Sequence, residues 1–412
     1  MSGRHATNCH MCKSQNFWPV LDLGYHPPSD AFLTDTHLRQ PEINYPLRLV
    51  SCGDCGLLQI DYFVDPRVLY QEDYPYESTM TQTGFTHYHK MASDICQELD
   101  VPQGSLVIDI GSNDGLLLSG FQKMGTRVLG VDPAEPVAKK AIARGIETIM
   151  DFFNEDVAQR ILKPHGQANI ITGTNVFAHL HDLNDAVRGM KALLKDNGAI
   201  VIEAPYAVDL LENLEYDTIY HEHIGYLSVK PMRSYFKKMG LELFDVKKQA
   251  IHGGSLRYYV GHMGGHTVSP VVENLVAKET ELGLYSLKRL QSFAGDVHRH
   301  KQELLDLLLG LKKQSKRIVG VSAPAKGNTL LNFCNIDYTF LDFITEKSSL
   351  KIGRFTPGTH VPIHADQMLL SEKVDYGLVL AWNFADEIMR NLSGFRERGG
   401  KFIIPIPRPR VV

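Results

Sequence analysis

Residues 220–223 read Tyr-His-Glu-His, four consecutive side chains that can each move a proton. His221, Glu222 and His223 are also metal-ligand types, but a helical His-Glu-x-x-His zinc site would need a histidine where Gly225 stands. Acid–base work is therefore the expected role. The metal chemistry lies elsewhere. Cys9 and Cys12 form one Cys-x-x-Cys pair, and Cys52 and Cys55 form another. Each such turn presents two thiolates to one ion, so the four close a tetrahedral Zn2+ site with no open position, which is the pattern of a structural metal. His10, inside the first pair, is not needed as a ligand. Cys96 and Cys334 stand alone.

A second kind of chemistry is written in VIDIGSNDG, residues 107–115. A glycine turn straight after a buried strand lets a ligand approach the backbone, and the helix that follows offers free N–H groups. The glycines are Gly111 and Gly115, a G-x-x-x-G spacing and not G-x-G-x-x-G. A second strand then ends in Asp132, where a carboxylate can accept both ribose hydroxyls of a nucleoside cofactor. This combination resembles the S-adenosylmethionine fingerprint of class I methyltransferases. The candidate cofactor contacts are Asp109, Gly111, Asn113, Gly115, Asp132, Pro133 and Asn175, with Asp151 and Phe152 at the place that family gives the adenine.

The elements that must position these residues fall into three stretches. Residues 1–70 carry both cysteine pairs, and 45–60 read as a hairpin turning at the second pair, so bound metal would stabilise a segment with little core of its own. From 71 to 245 the strand candidates 105–110, 127–132, 168–175 and 198–205 alternate with helices such as 184–196, the spacing of a doubly wound α/β domain. After a helical stretch at 285–316, 246–412 ends in a second unit of the same type, opening with RIVGVSAPAKGNTLLNF at 317–333.

The chain has 412 residues, 43% hydrophobic and 22% charged, with a net charge of -4. Nothing there favours nucleic acid, and no Asn-Pro-Pro-Tyr type stretch follows the fourth strand to grip a flipped base. The polar N-terminus and the lack of a long apolar run point to a cytoplasmic protein with no membrane segment.

Taken in order, the two-pair zinc segment, DIGSNDG, YHEHIGYLS, HGGSLR (252–257) and SAPAKGNTLLN (322–332) resemble the nucleotide-sugar C-methyltransferases over essentially the whole chain. The resemblance is to the type acting at C-3' of dTDP-3-amino-4-keto deoxysugars. It implies a zinc domain, a class I S-adenosylmethionine domain with a Rossmann-like fold, and a C-terminal Rossmann-like domain that helps to enclose a sugar nucleotide. It also places catalytic roles on Tyr220, Glu222 and His223, and a supporting one on His179. A carbon beside a ketone is acidic only because its anion delocalises onto the carbonyl oxygen. Such chemistry needs a base at the carbon and a donor at the oxygen. His223 is the expected base, with Tyr220 its partner or alternative, and Glu222 binds the sugar or fixes a histidine tautomer. The expected substrate contacts are Tyr74 or Tyr76, Tyr206, His221, Ser255, Arg257, Lys326 and Asn328. In an extended stretch His221 would share a face with His223. Lys326, beside a helix N-terminus, could hold a diphosphate. The rival readings are an O- or N-methyltransferase for another small molecule and a zinc-dependent binding module. A monomer is expected.

Overall fold

The computed structural model describes residues 3–70, 82–250 and 253–412. The N-terminal part pairs β1 (Gly3–His5) with β5 (Tyr62–Val64), and builds an antiparallel sheet from β2 (Phe17–His26), β3 (Tyr45–Cys52) and β4 (Leu58–Ile60). The hairpin expected at 45–60 is β3–β4, and its turn holds Cys55.

The central sheet has seven strands. β6 (Leu106–Ile110) lies beside β7 (Arg127–Val131) and β8 (Thr148–Ile149) on one side. On its other side come β9 (Ala168–Thr174), β10 (Leu194–Pro205), then the antiparallel strand β13 (Ser255–His262) and outermost β12 (Leu241–Gln249). All five residues of β6 are buried, as expected of a parallel strand covered on both faces. The helix expected at 184–196 runs Leu183–Leu193, because the chain enters β10 at Leu194, across a register irregularity from the predicted strand. The sheet also runs past residues 245/246, where the sequence suggested a boundary, since β12 and β13 both belong to it. Between β10 and β12 the short strand β11 (Gly225–Tyr226) leaves this sheet and pairs with β4. The residues just before it are the Tyr-His-Glu-His stretch, which is thereby pinned against the N-terminal unit.

The helix Leu287–Lys313 buries Leu290, Phe293, Val297, His300, Leu304, Leu308 and Leu311, a stripe at helical spacing. Gly295 and Gly310 lie within it without breaking it. The last sheet runs β16 (Ile363–Ala365), β15 (Ile344–Glu346), β14 (Ile318–Val321), β17 (Tyr376–Val379) and β18 (Lys401–Ile404), all parallel. An antiparallel β19 (Arg410–Val411) closes it. Both sheets therefore reverse direction beside their first strand, between β6 and β9 and between β14 and β17. Such crossover points open crevices at the carboxyl ends of the strands. Among the described residues no helix is long and apolar enough to cross a membrane.

Candidate active site and zinc centre

The four sulfurs of Cys9, Cys12, Cys52 and Cys55 lie within 4.8 Å of one another. Cys9 and Cys55 are 3.6 Å apart, and Cys12 and Cys52 3.5 Å. Four thiolates about 2.3 Å from a central Zn2+ would stand about 3.8 Å apart, so the donor set and its spacing fit the ion. Tight backbone turns make the cage: Lys13 N–H bonds the Cys9 carbonyl at 3.1 Å, and Gly56 N–H bonds the Cys52 carbonyl at 2.9 Å. Lys13 and Gly56 both take positive φ, at 68° and 85°. Cys96 and Cys334 are buried elsewhere.

The loop after β6 bends through Gly111, Asn113 and Gly115, all left-handed, at φ of 69°, 51° and 79°. A Cβ on Gly111 would sit 2.7 Å from the Val176 side chain, so only glycine fits there. Asp132 fastens the loop, one carboxylate oxygen accepting from Asn113 N–H and the other from Ala134 N–H, both at 2.8 Å. Each oxygen keeps a second lone pair for a hydroxyl. Pro133 lies between these two contacts. Asp109 is buried below the loop and accepts from the Thr172 hydroxyl at 2.7 Å. Burial, aided by the nearby Asp132, pushes its carboxyl up to about 7. At the end of β9, Asn175 is left-handed at φ 55°, and its amide oxygen is buried with no partner among the described residues. The Ser112 hydroxyl is also buried with no partner among the described residues. Asp151 accepts from Phe152 N–H at 2.9 Å and pairs with Arg160, just past β8. These oriented acceptors and orphaned polar atoms, on one edge of the crossover crevice, fit the ribose and amino-acid groups of S-adenosylmethionine.

The Tyr-His-Glu-His stretch is a turn, closed by His223 N–H on the Tyr220 carbonyl at 3.0 Å. The Tyr220 ring lies on that of His223, centroids 4.0 Å apart, and His223 is 4.9 Å from His179. His223 Nδ1 is 2.8 Å from the Thr218 carbonyl, which can only accept, so Nδ1 carries the hydrogen and Nε2 keeps its lone pair. His179 is set the same way. The Tyr70 hydroxyl donates to the Glu222 carbonyl at 3.3 Å and sits 3.2 Å from His179 Nδ1, whose hydrogen it accepts. His179 Nε2 is buried without a partner among the described residues. Burial holds His223 down to about 4, and the charge of Lys326 adds to this. Burial and the neighbouring histidines His223 and His181 push His179 well below the ordinary range. Both rings are therefore neutral at pH 7. Glu222 is buried with neither carboxyl oxygen bonded to a described residue. Burial, reinforced by Asp30, raises it to about 8, so it is protonated at neutral pH.

Several expected contacts lie elsewhere. Because the stretch turns, His221 points away from His223: its Nε2 is 3.3 Å from the Pro46 carbonyl and its ring meets Tyr45 edge-on. The Tyr206 hydroxyl donates to Glu279 at 3.0 Å. The register of β10 against β13 sets Arg257 opposite Glu203, and its Nε donates to that carboxylate at 2.9 Å inside the core. Ser255 is buried opposite Pro205. Asn328 is buried, donating to the Ser29 carbonyl at 2.6 Å. Lys326 remains near the cluster, bonded to Asn383 and 4.3 Å from the Trp382 ring centroid, with Asp217 and Glu215 as its nearby acids. Those carboxyls offset its charge, which weakens the case for a diphosphate there. Tyr74, Tyr76 and His252 lie outside the described residues.

Sequence reasoning missed Tyr70, Asp30, Asp217 and Trp382. Asp217 accepts from Trp382 Nε1 at 2.7 Å and keeps one buried oxygen unpartnered among the described residues. Its position three residues before Tyr220 was a visible signal; that of Tyr70 and Asp30, far off in the chain, was not.

Three family models divide the chain: a zinc binding domain over 9–70, a methyltransferase domain over 86–246, and a C-methyltransferase C-terminal domain over 250–407. C-methyltransferase NovU of Streptomyces niveus is 34% identical over 411 residues, 99% of this chain and 97% of NovU. The ubiquinone biosynthesis O-methyltransferase of Bordetella avium (strain 197N) is 32% identical over 98 residues, 23% of this chain and 41% of that protein. Among solved structures, magnesium protoporphyrin IX methyltransferase (ChlM) from Synechocystis PCC 6803 with bound SAH aligns at 12% identity and a TM-score of 0.35, covering 45% of this chain and 90% of that one. The central unit is a class I S-adenosylmethionine methyltransferase domain, preceded by a four-cysteine zinc site and followed by a second α/β domain. With its match to NovU along nearly its whole length, the chain belongs to the S-adenosylmethionine-dependent C-methyltransferases.

Proposed function

We propose that this enzyme methylates a carbon next to the 4-keto group of a nucleotide-linked deoxysugar, C-3' of a dTDP sugar being the favoured acceptor. The observation that carries this is the pair of neutral histidines, His223 and His179, each with Nδ1 engaged and Nε2 left as a lone pair, beside Tyr220. An acceptor carbon that bears a hydrogen must lose it, and an imidazole held neutral at physiological pH is suited to take it. Bound S-adenosylmethionine supplies the electrophilic methyl group. His223 Nε2 removes the proton from the acceptor carbon. Tyr220, its ring against that of His223, hydrogen-bonds the developing enolate oxygen or relays the proton, and His179 supports the pair. Glu222, neutral and buried, offers a carboxylic O–H to the sugar. Asp109, the 111–115 loop, Asp132, Pro133, Asp151, Phe152 and Asn175 hold the cofactor, and Lys326 binds the acceptor at the edge of the second α/β unit. One chain supplies every one of these groups, in keeping with a monomer.

The test is to supply isotopically labelled cofactor and a dTDP-4-keto deoxysugar, and to locate the label by carbon NMR. Label on carbon, with solvent exchange of the adjacent hydrogen before methylation, is expected. Label on oxygen or nitrogen without that exchange would replace this reading with O- or N-methylation. His223→Asn and Tyr220→Phe should each lower kcat about 100-fold or more, the scale of lost general acid–base catalysis, with cofactor affinity retained. Full turnover in both would refute the assignment.

A further inference from the structure

One residue of the zinc knuckle is hydrogen-bonded towards both segments that carry the paired imidazoles. His10 lies between the ligands Cys9 and Cys12, and its two ends reach two different segments. Its backbone N–H donates to the buried Gln59 side chain in β4 at 2.8 Å. Gln59 is paired with Gly225, two residues after His223, and Ile60 N–H bonds the Ile224 carbonyl at 3.0 Å. Its ring Nε2 is 2.8 Å from the carbonyl of Leu180, the residue after His179. A carbonyl only accepts, so the hydrogen is on Nε2 and the bond is directed. The ring is buried, edge-on to Phe63. The two segments are also joined directly, Ile224 N–H bonding the Ala178 carbonyl at 2.8 Å.

We infer that His10 is a positioning residue: it ties the zinc knuckle to both segments that carry His179 and His223 and thereby sets the distance between the two imidazoles. The zinc unit is then part of the catalytic geometry as well as a stabiliser of its own fold. The inference rests on the proposed role of His179. Catalytic groups tolerate little displacement, about 1 Å being able to cost on the order of 100-fold in rate.

The experiment compares His10→Leu, His10→Asn and His10→Gln. A Gln amide can reach the Leu180 carbonyl and an Asn amide is too short. In His10→Leu, kcat should fall about 10-fold or more. Zinc content measured with a chromophoric chelator, cofactor Kd and acceptor KM should stay as in the wild type. Amide hydrogen exchange should speed up at residues 178–181 and at Ile224. His10→Gln should recover most of the loss. Wild-type kcat and exchange in His10→Leu would overturn the inference. Should that variant lose zinc or misfold, wild-type kcat in His10→Asn overturns it instead. Wild-type turnover in His179→Asn would remove the catalytic reading, whereas the exchange rates would still report on the bond from His10.

Discussion

The two α/β units order their first five strands alike, yet their crossover points are furnished in opposite ways. In both, an acid at the end of the second strand caps the loop after the first: Asp132 takes Asn113 N–H, and Glu346 takes Ala323 N–H, each at 2.8 Å. The first loop is bent by three left-handed residues, and its Ser112, like Asn175 after β9, has a buried side-chain oxygen with no partner among the described residues. The second is closed by its own chain. Lys351 donates to the Ala323 carbonyl at 2.8 Å, and the remaining oxygen of Glu346 takes Lys347 and Ser348 N–H. One scaffold thus serves twice, once with its polar groups left for a ligand and once with them satisfied internally. Function here follows from what the loop leaves unbonded and not from the strand order.

The largest expected effect breaks the first loop alone. Asp132→Ala should raise the cofactor Kd about 100-fold, the scale of losing hydrogen bonds to a charged acceptor. Glu346→Ala should leave cofactor affinity within about twofold while lowering Tm, since three backbone N–H groups lose their acceptor. Calorimetric titration of both variants decides, and equal losses would erase the distinction.

A smaller effect is expected at the second loop. Lys326→Met should raise the acceptor KM about 10-fold with cofactor Kd unchanged, because its ammonium lies near the proposed base and bonds no residue of the first loop among the described contacts. Unchanged steady-state KM would reduce the second crossover to scaffold.

The smallest effect is at Glu222, buried in the turn before the proposed base. Its carboxyl is raised from 4.5 to about 8, chiefly by burial. The folded protein keeps a proton that the unfolded chain releases, so this group weakens stability as pH rises from 4.5 to about 8. The Tm of Glu222→Gln should therefore gain on wild type by a few degrees across that window in thermal melts. A difference independent of pH would mean that Glu222 is already ionised.

What could be read in advance was local. Cys-x-x-Cys spacing specifies a cage because four neighbouring atoms suffice to describe it, and the left-handed turn at Gly111 is announced by the glycine itself. Arg257 misled for the opposite reason: nothing near it in sequence tells that register will set it against Glu203, which satisfies the guanidinium internally. His221 misled because an extended stretch and a tight turn spell the same four letters, and they send alternate side chains to different places.

The amino-acid sequence by itself determined the metal cage, the cofactor loop with its acid, the alternation that builds the parallel part of two sheets, and the presence of proton-moving groups at 220–223. Only the tertiary structure decided which of those groups face one another, which ring nitrogen of His179 and His223 holds the hydrogen, and that Glu222 stays neutral. The reason is physical. Tautomers and protonation states are set by desolvation and by partners such as Tyr70, Thr218 and Asp30, and long-range packing alone brings Tyr70 and Asp30 to the turn.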